Sequence, residues 1–141
     1  MKYATVLLAI FLASCGGSGH IKFYNFYVPK SAVENEIRRV IKDSGYAVPA
    51  KWADVGKTDF YPQVYLYLNS NPEELYQIGF IYDSAVWNHS STCTLALVGR
   101  YVGNGWQFDK DLGGKEEDRM MARFEAQILS KIKYSYTKSD Y

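Results

Sequence analysis

From residue 21 onward the chain switches between two hydrophobic periods. Ile21 to Val28 is rich in aromatic and β-branched side chains and predicts a strand that Pro29 stops. Val33, Ile37, Val40 and Ile41 then fall at i, i+4, i+7 and i+8, the stripe of an amphipathic helix. Ser31 and Glu34 have the spacing of a capping box, Glu34 and Arg38 that of an i,i+4 ion pair, and Gly45 is a stop signal. Residues 46–59 are less regular, broken by Pro49 and Gly56, with Trp52 expected to pack down. In Phe60 to Leu68 the aliphatics Val64, Leu66 and Leu68 alternate with Tyr61, Tyr65 and Tyr67, so a second strand is expected there. Asn69-Ser70-Asn71-Pro72 is a turn, followed by a strand over Leu75 to Tyr82 with Tyr76, Ile78, Phe80 and Tyr82 on one face.

Asp83 to Ser91 reads as a polar loop and Thr92 to Val102 as a further strand. Gly103-Asn104-Gly105 turns the chain into a short strand around Trp106 and Phe108. After Gly113-Gly114, Glu116 to Lys133 predicts a second helix with the stripe Met121, Phe124, Ile128 and Ile132. Acidic side chains open it and Lys131 and Lys133 close it, as the helix dipole favours. Tyr134 to Tyr141 is either a polar tail or a short last strand. Consecutive strands joined by short turns imply an antiparallel sheet. The expected fold is therefore α+β, with four to five strands and two helices packed on one face.

The first 15 residues follow another pattern. Lys2 precedes an apolar run from Ala4 to Ala13, broken only by Thr5, which has the length of a secretory h-region. The stretch Leu12-Ala13-Ser14-Cys15 resembles the lipobox of bacterial lipoproteins. That resemblance implies cleavage before Cys15, a diacylglyceryl group on its thiol, and often acylation of the new amine. Two or three acyl chains anchor a protein stably where one holds it marginally. It further implies a signal peptide at 1–14 and a lipidated cysteine and tether at 15–20; it says nothing of the fold beyond, where the strand and helix pattern gives a single α+β domain at 21–141. Gly16-Gly17-Ser18-Gly19 is a flexible linker reaching about 14 Å when extended, so the domain would sit close to its membrane. Gly16 stands where an aspartate would resemble an inner-membrane retention signal, which leaves the outer membrane as the favoured location.

Composition narrows the function classes. Sixteen basic side chains stand against 15 acidic ones. Lys2 is the one charge in residues 1–14, so its removal takes 16 to 15 and the remainder balances. A surface for nucleic acid is not expected. No apolar run reaches the ~18 residues of a membrane-spanning helix. With Cys15 committed to lipid, Cys93 has no partner for a disulfide and is expected as a buried thiol.

Chemistry-bearing motifs are sparse. His89 lies in a polar loop beside Ser90 and Ser91, but no Gly-x-Ser-x-Gly elbow accompanies it. His89 and Cys93 are too few for a closed zinc site. Asp109, Asp111 and Gly113 echo the start of a calcium loop, but Met120 occupies the position of the bidentate glutamate, so a solvated turn is expected. No cofactor is implied. The compositional excess is tyrosine, 13 residues in all. Tyr61, Tyr65 and Tyr67 share one strand face, and Tyr76 and Tyr82 join them if register allows. An open tyrosine face suits protein or sugar recognition, combining large apolar area with a polar tip. The expectation is a membrane-anchored envelope lipoprotein whose small domain is a non-catalytic binding or accessory module for an envelope protein or glycan. An envelope inhibitor or immunity protein against a lytic enzyme is the alternative, and a small hydrolase a third.

Overall fold

The computed structural model describes residues 19–55, 63–81 and 90–140. It is an α+β fold in which two helices cover one face of a six-stranded antiparallel sheet. The strands are β1 (Lys22–Phe26), β2 (Gln63–Leu68), β3 (Glu74–Ile81), β4 (Cys93–Tyr101), β5 (Trp106–Phe108) and β6 (Tyr136–Ser139). The helices are α1 (Lys30–Ser44) and α2 (Gly114–Gln127). The sheet order is β2-β3-β4-β1-β6. β4 pairs along its length with β3, while its other edge is shared: β1 takes Cys93 to Leu97 and β5 takes Gly99 to Tyr101. The sheet exceeds the expected four to five strands because the C-terminal segment pairs with β1, where Tyr136 packs edge-on to Tyr24.

The register decides what each face carries. Tyr24 pairs with Leu95 and Leu95 with Phe80; Ile78 pairs with both Leu97 and Val64. These side chains, with Phe26, Leu66, Leu68 and Tyr76, form one core with Val33, Ile37 and Val40 of α1 and Met120 and Phe124 of α2. Gly45 ends α1 in the left-handed region (φ 69°), where its N–H donates to Ile41 O.

Both helices depart from their predicted ends. The Ser31–Glu34 capping box does not form: Pro29 occupies the N-cap, α1 begins at Lys30, and Glu34 instead accepts from Lys30 and Arg38. Proline pre-sets the extended entry, so the helix starts two residues before the position a Ser31 cap would require. α2 starts at Gly114 and stops at Gln127, and a 3-10 turn at Leu129–Lys131 follows. That phase buries Met120 and leaves Met121 half-buried, while Ile128, Leu129 and Ile132 enter the core from beyond the helix. Lys131 and Lys133 therefore do not close α2. Lys131 donates to Ser44 Oγ and Tyr46 OH, and Lys133 lies 3.6 Å from Glu36, so both tie the end of that turn to α1 and its exit.

Candidate functional site: the aromatic sheet face

The face turned away from the helices carries the other parity of each strand. Tyr65 is in register with Gln77, Gln77 with Gly99, and Gly99 with Phe108. One row along, Tyr67 pairs with Leu75, Leu75 with Tyr101, and Tyr101 with Trp106. A chain of ring contacts crosses this face. Tyr65 lies 5.8 Å from Trp106, Trp106 5.7 Å from Tyr101, Tyr101 5.4 Å from Trp52, and Trp52 5.4 Å from Tyr67. Phe108 stacks on Trp106 at 6.1 Å. These separations and tilted or edge-on geometries are those of favourable aromatic pairs. All six rings are half-buried. Leu75, in register between Tyr67 and Tyr101 on this face, has no exposed surface.

Local sequence explains how this face is assembled. The Gly103-Asn104-Gly105 turn closes β4 on β5, which sets Trp106 opposite Tyr101. Phe108 sits two residues on and shares the face. Gly99 leaves room for it: a Cβ there would lie 2.7 Å from Phe108 Cδ1 and 2.8 Å from Gln107 O. Trp52 arrives from outside the sheet. Tyr67 N donates to Tyr46 O, which lays the chain after α1 beside the β2 edge, and a 3-10 turn at Ala50–Trp52 then swings the indole over Tyr67 and Tyr101.

Polar groups fringe the rings. Tyr67 OH donates to Glu73 at 2.6 Å, and Lys51 Nζ reaches the other oxygen of Glu73 at 2.5 Å while lying 5.3 Å from the Trp52 ring centre. The bond to Glu73 holds the Tyr67 phenol above its ordinary value, and the bonds from Lys51 and Tyr67 hold the Glu73 carboxyl below its own. Tyr65 OH donates to Gln63 Oε1 at 2.9 Å, and the same oxygen accepts from Gln77 Nε2. The hydroxyls of Tyr65, Tyr67 and Tyr101 are each bonded within this surface.

Of the tyrosines the sequence singled out, the structure brings Tyr65 and Tyr67 together. Tyr76 is not with them. Its pairing with Leu66 puts it on the helix side, fully buried against Phe124, with its hydroxyl donating to Glu74 at 3.1 Å. Burial raises its phenol pKa. Tyr61, Tyr82, His89 and the lipidation residue Cys15 lie outside the described residues. Trp52, Tyr101, Trp106 and Phe108 were not singled out. The hairpin turn before Trp106 and the i,i+2 spacing to Phe108 carried that signal for two of them; the approach of Trp52 is a long-range contact with no local signature.

The remaining candidates carry little chemistry. Cys93 is buried, and burial pushes its thiol up to about 11, which withholds the thiolate that nucleophilic or metal-binding roles require. Asp109 and Asp111 are engaged in their own turn, accepting from the N–H groups of Lys110 and Phe108. Among the described residues no group of three potential metal ligands converges, and no helix is long and apolar enough to cross a membrane. Comparison of the chain with protein-family models, with curated proteins and with solved structures finds no match.

Proposed function

We infer that the chain is a lipid-anchored protein of the bacterial envelope, favouring the outer membrane, whose α+β domain is a non-catalytic module that binds an envelope protein through its aromatic sheet face. The observation that carries this reading is the ring chain Tyr65–Trp106–Tyr101–Trp52–Tyr67 on the face opposite the helices. Rings locked by mutual contact and bonded hydroxyls lose little side-chain entropy on binding, which is why tyrosine and tryptophan dominate binding surfaces. The lipobox-like stretch ending at Cys15 supports the membrane placement, and the short glycine-rich tether supports display close to that membrane.

The test is chemical crosslinking of intact cells expressing the tagged chain, followed by mass spectrometry of what co-purifies. The expected result is one dominant envelope protein, absent with Cys15→Ala and absent with the double variant Tyr65→Ser, Trp106→Ala. Retention of that partner by the double variant would remove the aromatic face from the account. Capture of a lytic enzyme would turn the reading into that of an envelope inhibitor, and capture of glycan would change the ligand class while keeping the face.

A further inference from the structure

A second site lies on the opposite side of the sheet. A cleft of about 250 Å³ opens where the β2–β3 turn meets α2 and the segment following α1, lined by Tyr46, Leu68, Asn69, Ser70, Arg123 and Gln127. We propose that this cleft binds a small ligand bearing an oxyanion, carboxylate or phosphate, with Arg123 as the group that receives the charge.

The charge distribution points to an anion. Among the described residues no carboxylate lines the cleft. Arg123 is one of three guanidiniums, with Arg100 and Arg119, arranged around two carboxylates, Glu74 and Glu116, which leaves one positive charge in excess. Nη1 of Arg123 donates to the fully buried Glu74, which tethers that end of the guanidinium. Its other nitrogens have no bond to any described residue, and the side chain keeps 20% of its surface exposed. An anchored guanidinium with free donors is suited to a planar or tetrahedral oxyanion. Lys131 adds a second positive charge nearby. It donates to Tyr46 OH at 2.9 Å and to Ser44 Oγ, and neither partner is a carboxylate.

The neutral lining adds hydrogen-bonding capacity. Gln127 stands one helical turn beyond Arg123. Its Oε1 accepts from Tyr46 OH at 2.8 Å, which leaves the amide nitrogen as a donor. Asn69 brings a second amide, and Leu68, almost wholly buried, brings an apolar wall. The volume corresponds to about eight waters at ~30 Å³ each, below the range of drug-sized pockets. An amino-acid-sized acid or a small phosphate fits that size.

The test is a titration of the detergent-solubilised full chain with sodium acetate and, separately, inorganic phosphate at constant ionic strength, read by ¹H–¹⁵N NMR. Saturable shifts are expected at the Asn69 and Gln127 side-chain amides and the Ser70 backbone amide, with none from chloride. The anion that saturates at lower concentration identifies the headgroup. Gln127→Glu places a negative charge on the wall without touching Glu74, and should weaken binding roughly tenfold or more, the loss of about one charge-assisted contact. Arg123→Gln should do the same, while Arg38→Gln, which pairs with Glu34 on α1 and lies outside the lining, should bind as before. Shifts that chloride reproduces, or unchanged affinity in Gln127→Glu, would overturn the proposal even if Arg123→Gln fails to fold.

Discussion

At the scale of single residues, one missing side chain sets the shape of the aromatic surface. Gly99 lets Phe108 and the backbone of Gln107 come within a distance that no Cβ tolerates. Gly99→Ala should therefore force β5 away from β4 and cost about 1–3 kcal/mol, the range for overpacking a closed contact. Urea denaturation measures the loss, and shifted ring resonances of Trp106 and Phe108 should accompany it. A second residue contributes to the acid sensitivity of the fold. Glu36 is nearly buried, and the bond from Arg39 holds its carboxyl down to about 2, with the Lys133 N–H and the two positive charges assisting. The folded form thus binds this proton later than the unfolded chain, whose value lies near 4.5. The stabilisation is complete above about 4.5 and drains away as pH falls towards 2. Glu36→Gln should lower stability at neutral pH and flatten its dependence across that interval, measured by thermal unfolding at a series of pH values. An unchanged slope would show that Glu36 is not the group responsible.

At the scale of elements, a β-bulge explains an arrangement that alternation alone does not. Pairing runs from Gln77–Gly99 to Ile78–Leu97, so Val98 is the extra residue on β4. The bulge shifts the parity of the strand and turns Arg100 to the same side as Leu97, under α2. There it donates to Glu74 at 2.9 Å, Glu116 at 2.8 Å and Gln107 at 2.8 Å. Glu74 has no exposed surface and also meets Arg119, Arg123 and Tyr76. Removing one partner of a buried ion network strands the others, so Glu74→Ala should cost about 3–5 kcal/mol. Chemical denaturation tests this, and a loss under ~1 kcal/mol, the level of a surface pair, would contradict it. Local signals made most elements legible. The stripe Val33, Ile37 and Val40 announced α1, and Gly45 announced its end. The alternation around Leu66 and Leu68 announced β2. The buried ion network was not legible, because it depends on which acid and which arginine meet across 26 or 49 positions of sequence and on a bulge that no residue type marks.

At the scale of the whole molecule, the two sheet faces differ in what covers them. One is sealed by α1 and α2 into the core; the other carries the half-buried rings. The alternation of Tyr65 and Tyr67 against Leu66 and Leu68 already separated the faces of β2, and the aliphatic face proved to be the one the helices cover. The side on which Tyr76 falls was not legible, since that rests on its pairing with Leu66, a property of the β2–β3 register and not of either strand alone. The aromatic face is the surface we propose for binding by an anchored protein. The direct measurement places a photoreactive phenylalanine analogue at position 65, on the aromatic face, or at Lys42, exposed on α1, in separate full-length chains expressed in living cells. Irradiation followed by mass spectrometry should give a discrete adduct from position 65 and none from position 42. Adducts from position 42 alone, or equal adducts from both, would show that the helix side or no particular face makes the contact, and would contradict the account.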